Sequence, residues 1–343
     1  MIAGLMGIGV LSQGGGKQLI YVGTATELRA ARYFISVANV GYYVLFAGGM
    51  TSYSGSGVYS ATVDAYDASL VRSAPTVLGT ARGGLAGASV GDYALFTGHT
   101  YGNRSNVVYA YNSSLVRSTP TALSVARGDI AGTMVSSYAL FGGGEDVSGN
   151  SAVVDAYNTS LVRSTPTALS VARSGPAGGM VGEYALFAGG SGGTNIVDAY
   201  DASLVRSTPT AMSATRMGIG IASASLPTYA LFAGSNVSYA LTAVVDAYNT
   251  SLARSTPTAL SVARGGLAGA SVGEYALFAG GKETSGGTAA VDAYNTSLVH
   301  STPTALSMAR IDLAGGMVGE YALFAGGQVS SVNSAVVDVY TVT

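Results

Sequence analysis

Residues 164–173 read S-T-P-T-A-L-S-V-A-R, and the same ten residues stand again at 118–127 and at 255–264. Close variants end at Arg82, Arg216 and Arg310, and a more worn one ends at Arg32. The seven arginines are separated in turn by 50, 45, 46, 43, 48 and 46 residues. Self-similarity at that period is the mark of a repeat architecture, in which each unit buries its apolar face only against its neighbours. The 343 residues are therefore read as one closed domain, although length alone would suggest two or three.

The sixth unit, residues 263–309, serves as template. After Arg264 comes G-G-L-A-G-A-S-V, a small-residue strand (A) suited to the crowded centre of a ring. Gly273 and Glu274 turn the chain into strand B, Y-A-L-F-A-G-G, an apolar run that fits a strand covered on both faces. A Gly/Ser/Thr-rich loop leads to strand C, A-A-V-D-A-Y, and N-T-S then turns into strand D, expected from Leu298 through Pro303 to Leu306. Its proline places strand D at an edge, where a missing N–H is tolerated. Four short antiparallel strands per unit and seven units predict an all-β, seven-bladed β-propeller. The last unit stops after strand C, whereas residues 18–28, Q-L-I-Y-V-G-T-A-T-E-L, align with a strand D when counted back from Arg32. The N-terminal strand should close the last blade, which leaves residues 1–17 as a separate segment and 18–343 as the propeller.

These motifs resemble the kelch repeat: Y-A-L-F-A-G-G is similar to its strand ending in a double glycine, V-V-D-A-Y-N to its strand ending in tyrosine, and A-R to its arginine before the next blade. The resemblance covers residues 18–343. The family's outer-strand tryptophan is missing, since the chain has no Trp.

Composition bounds the function. Only 10% of residues are charged, and small neutral side chains dominate, as suits an extracellular, virion or cell-surface protein. Of sixteen basic residues only Lys17 and Lys282 are lysine, so no basic stripe exists to track nucleic-acid phosphates. There is no cysteine, which removes thiol catalysis and thiolate metal sites. The apolar start, Met1 to Gln13, lacks the basic beginning of a signal peptide and is too short and glycine-rich to span a bilayer. It could instead dock into a larger assembly. No cofactor or metal is expected.

Four features could carry chemistry. The double glycines end a strand with no helix after it, so a close backbone approach accounts for them better than a phosphate cradle does. The strand-C aspartates, Asp64, Asp155, Asp198, Asp246, Asp292 and Asp338, recur in different blades and cannot converge on one substrate. Each is expected to pair with the arginine of L-V-R-S across the hairpin, as Asp155 with Arg163, in an exposed cross-strand contact worth about 0.2–1 kcal/mol. Tyr109 replaces the acid in one unit and His300 the base in another. The arginines Arg32, Arg82, Arg127, Arg173, Arg216, Arg264 and Arg310 encircle the axis; they could bind an anionic glycan with their planar forks, or only backbone carbonyls and a neighbouring blade.

The framework strands are near-verbatim copies, but the B–C loops differ from blade to blade, and recognition usually lives on such loops. Tyr53, Tyr59, His99, Tyr101, Arg104 and Tyr239 lie there, and Tyr33, Asp129, Met217 and Asp312 follow the arginines. The antiparallel order puts B–C and D–A connections on one face, which is the expected binding face. Three functions are consistent with these features: a displayed binding module for a glycan or protein, a structural component docked through its N-terminal segment, and a glycosidase-like enzyme. Two isolated histidines and the lack of a non-repeating carboxylate pair, apart from the adjacent Glu145 and Asp146, count against the third.

Overall fold

The computed structural model describes residues 17–52, 57–99, 104–191, 194–216, 220–237 and 240–343. Seven four-stranded antiparallel sheets form a ring, each ordered A-B-C-D from the axis outwards. Blade 3 is typical: Ala131–Val135 (A), Tyr138–Gly142 (B), Val154–Asn158 (C) and Arg163–Ser164 (D). Strand A alternates buried and half-buried residues because one side faces the axis, whereas strands B and C are buried almost throughout. Seven apolar clusters follow among the described residues, each shared by two neighbouring blades. One joins Leu95 and Ala110 of blade 2 to Phe141 and Tyr157 of blade 3.

The last blade is closed as the sequence implies. Leu19–Thr24 pairs antiparallel with Val337–Val342, with Leu19 opposite Val342 and Tyr21 opposite Tyr340. Gln18 and Thr343 exchange both backbone bonds, at 2.9 and 3.0 Å.

Strand D is shorter than expected. Its ladder in blade 6 is His300–Ser301 alone, not a strand reaching Leu306. Beyond Ser301 the backbone turns to the next blade: the Thr304 carbonyl accepts from the Tyr340 hydroxyl at 2.8 Å. The same bond joins Tyr157 to Thr121 and Tyr248 to Thr210. The N-T-S turn has its own logic. Asn158 Oδ1 accepts the N–H groups of Ser160 and Val162, and Leu161 takes φ 58°, which sends its side chain into the blade 2–blade 3 cluster. The glycine of strand A is equally constrained, because a Cβ on Gly132 would collide with the Gly87 carbonyl of the preceding blade.

Candidate functional site

The seven arginines do not face the axis. Arg32, Arg127, Arg173, Arg216, Arg264 and Arg310 are 0% exposed and Arg82 is 7% exposed. Each crosses from the end of one blade into the next. Arg127, at the end of the blade 2 outer segment, pairs with Asp155 of blade 3 and donates to the carbonyls of Gly143 and Val153, both at 2.6 Å. Arg32 does the same to Asp64 at 2.6 Å, and Arg173 to Asp198 at 2.8 Å. The arginines thus contact backbone carbonyls and a neighbouring blade, and the fork is occupied inside the protein. Burial pulls the Arg32 guanidinium down to about 10, with Asp64 opposing the fall.

The aspartates are the hubs of these joints. Asp155 is fully buried and also accepts the Ser124 N–H of blade 2 at 3.0 Å and Arg163 of its own blade at 2.9 Å. The Asp155–Arg163 pairing is therefore as expected, but its environment is not: the carboxylate is enclosed and shared by two guanidiniums. His300 takes the outer place beside Asp292, at 2.6 Å, and the Tyr21 hydroxyl takes it beside Asp338, at 2.7 Å. Burial, reinforced by the bond to Asp338, pushes the Tyr21 phenol up to about 12.

The surface built on this frame is the B–C and D–A face. In four blades the residue after the arginine pairs with the residue after the double glycine: Tyr33 with Met50, Gly128 with Glu145, Gly265 with Lys282 and Ile311 with Gln328. The double glycine makes that approach possible. Gly48 and Gly49 have φ of 66° and 110°, and a Cβ on Gly49 would lie 2.8 Å from the Tyr33 carbonyl oxygen. Beyond this junction the loops rise as two-stranded hairpins, such as Glu145–Asp146 with Gly149–Asn150 and Gln328–Val329 with Val332–Asn333.

Neighbouring hairpins touch, and each contact differs from the next. Tyr59 of blade 1 stands edge-on to His99 of blade 2, ring centres 4.5 Å apart. Arg104 of blade 2 pairs with Glu145 of blade 3. Asn150 accepts from Ser191 at 3.2 Å, and Asn333 of blade 7 donates to the Thr51 carbonyl of blade 1 at 2.7 Å. His99 is buried, Tyr59 half-buried, and Arg104 a quarter exposed, so these three lie between loops instead of projecting from them. Tyr53, Tyr101, Tyr239 and Met217 fall outside the described residues.

Inside the hairpins lies the mouth of the axial channel, a cavity of about 340 Å³ lined by the start of strand A in all seven blades. The residue two beyond the arginine takes a left-handed conformation there. Gly84, Gly175 and Gly266 do so, and so do Asp129 (φ 50°), Asp312 (φ 53°) and Phe34 (φ 49°). Backbone bonds run from blade to blade along this belt, from Gly84 N–H to Phe34, from Phe34 N–H to Asp312 and from Asp312 N–H to Gly266. Among the described residues no three His, Cys, Asp or Glu side chains gather in a group that could hold a metal. No described helix is long and apolar enough to cross a membrane. The chain matches no protein-family model and no curated protein, so a seven-bladed propeller with its varied residues on the B–C and D–A face is what the structure itself establishes.

Proposed function

We propose that the protein is a non-catalytic binding module, a kelch-like propeller displayed on a phage particle or bacterial surface, which recognises a glycan or a protein through its B–C and D–A face. One observation carries this reading. The inner arginines that recur in every blade, and the aspartates of six blades, are enclosed in blade-to-blade joints, while the described hairpin residues on this face meet through contacts that differ from blade to blade. A repeated frame that presents unrepeated side chains is how rigid scaffolds carry recognition.

A second reading, a component of a larger assembly, is favoured by where the closing strand begins. The Lys17 carbonyl accepts from the hydroxyl of Tyr275, at the start of a strand B, at 3.0 Å. The chain therefore enters the ring on the A–B face, opposite the hairpins, and attachment there would leave recognition unobstructed. The two readings are compatible in one particle.

The test is a glycan array of bacterial surface polysaccharides probed with labelled protein. Replacing Tyr59 and Arg104 together by alanine should weaken any bound feature at least tenfold. Glu145, left without Arg104, is 40% exposed and stays solvated, and the Tyr59 ring contact with His99 lies in the loops outside the blade joints, so thermal melting should fall by no more than a few degrees. Alanine at the exposed Glu183 and Glu274 of the A–B face should have no effect on binding. If the glutamate changes abolish binding and the Tyr59/Arg104 change does not, the faces are assigned the wrong way round.

A further inference from the structure

Where the ring closes, blades 7 and 1 leave a cavity of about 570 Å³ on the hairpin face, open to solvent past the exposed Val332. Its volume falls within the roughly 300–1,000 Å³ typical of small-molecule sites. Blade 1 contributes Phe34 and Tyr33, with ring centres 5.0 Å apart, and blade 7 contributes Asp312, Gln328 and Asn333.

Phe34 is the residue that needs explaining. Its place in the belt demands a left-handed backbone, which blades 2, 4 and 6 supply with glycine and blades 3 and 7 with aspartate, a residue that tolerates it. A phenylalanine held at φ 49° works against a penalty of roughly 1–3 kcal/mol. The ring does not repay that by burial in a core cluster, for it is half-buried and lines both the channel mouth and the seam cavity. Strain retained at one copy out of several, with an aromatic ring turned towards a cavity, is the pattern of a binding position.

The polar side of the cavity is fixed and unused in complementary ways. Gln328 Nε2 donates to Asn333 Oδ1 at 3.1 Å, and Asn333 Nδ2 donates to the Thr51 carbonyl across the seam, so both amides are held in one orientation. The Asp312 carboxylate lies over Gly266 and takes no hydrogen bond from the protein among the described residues. Its two oxygens are acceptors waiting for donors.

An apolar ring facing a carboxylate and locked amides suits a guest with one C–H face and a rim of hydroxyl groups. An acidic sugar would meet Asp312 with like charge. A cationic side chain would meet Lys282, which already sets a positive charge near Asp312. We propose that the blade 7–blade 1 seam is a subsite for a neutral hexopyranose or N-acetylhexosamine unit, its ring face on Phe34 and its hydroxyls donating to Asp312 and pairing with Gln328 and Asn333. This rests on the hairpin face being the recognition face and names the ligand class for one part of it.

Saturation-transfer NMR and calorimetric titration of the full chain would test it, with methyl β-D-glucopyranoside, methyl β-D-galactopyranoside, N-acetylglucosamine and its dimer as probes. N-acetylneuraminic acid and lysine methyl ester serve as charged comparators. At least one neutral saccharide should bind saturably, one per chain. Phe34→Gly should reduce that affinity at least tenfold while the melting temperature holds or rises, since glycine relieves the backbone. Asp312→Asn, also compatible with a left-handed backbone, should reduce it at least fivefold. Silence from every neutral saccharide, preference for either charged comparator, or indifference to both substitutions overturns the proposal. A saccharide lost with Tyr59 and Arg104 but kept by Phe34→Gly would sink the seam subsite and leave the face standing. One lost only on changing Glu183 and Glu274 would sink both.

Discussion

Blades 2 and 3 fill the same joint with different chemistry. In blade 3 the buried Asp155 holds Arg127 and Arg163 by charge and hydrogen bonds. In blade 2 the aspartate is Tyr109, and Arg82 and Arg117 lie against its ring at 5.8 and 5.6 Å. The two guanidiniums keep their places although their counter-charge has become a π-face. A second position changes with it. The outer segment of blade 1 brings Gly79 to the blade 2 joint where that of blade 2 brings Ser124 to the blade 3 joint, and a Cβ on Gly79 would come to about 3.0 Å from the Tyr109 ring. The joint is thus specified by geometry, an acceptor surface between two cations, and tolerates either chemistry if the neighbour makes room.

The largest effect should come from breaking the charged version. Asp155→Asn leaves Arg127 enclosed without a carboxylate, and stranding one partner of a buried pair typically costs about 3–5 kcal/mol. Urea unfolding should show that loss; a change under about 1 kcal/mol would mean that the joint behaves like a surface pair. Next comes conversion of blade 2 into blade 3. Gly79→Ser alone should destabilise by crowding Tyr109, and Tyr109→Asp alone should leave a void where the ring was. The double variant should be more stable than the sum of the two predicts, with a coupling of roughly 1–3 kcal/mol in a double-mutant cycle. Additive behaviour would show that the two positions changed independently. The smallest effect belongs to the outer cations. Arg163 is a quarter exposed, and Arg163→Ala should cost no more than about 1 kcal/mol. A loss from Arg163→Ala as large as that from Asp155→Asn would make the outer arginine, and not the inner one, the essential partner.

The sequence carries much of this in its repeats. Period, strand order, face assignment and the N-terminal closing strand follow from copying, because a unit that recurs at one spacing must make the same contacts each time. The burial of Asp155 was not legible. The sequence marks strand B, with its unbroken apolar run, as covered on both faces. V-V-D-A-Y beside an arginine across a hairpin reads as an exposed pair, and only the packing of neighbouring blades encloses strand C. The arginines were ambiguous because a fork repeated in every blade suits an encircled ligand and an internal latch equally. The structure decides for the latch, because the guanidiniums are enclosed and donate to carbonyls and a carboxylate of the next blade. The seam cavity was not legible at all. Phe34 reads as one more apolar residue near a strand start, and its meaning lies in a backbone angle and in residues about 280–300 positions away.

The closing ladder also sets how the ring responds to force. Gln18 and Thr343 sit side by side at one end of the paired strands, so tension between them loads the backbone bonds in sequence, starting with their own pair. That is an unzipping geometry, which yields one bond at a time. Tension applied instead between Lys17 and a point on the hairpin face pulls along the strand and strains the same ladder all at once, as shear. A ring anchored on its A–B side and tugged from its hairpins would therefore resist opening, whereas one held by both chain ends would part at the seam between blades 7 and 1.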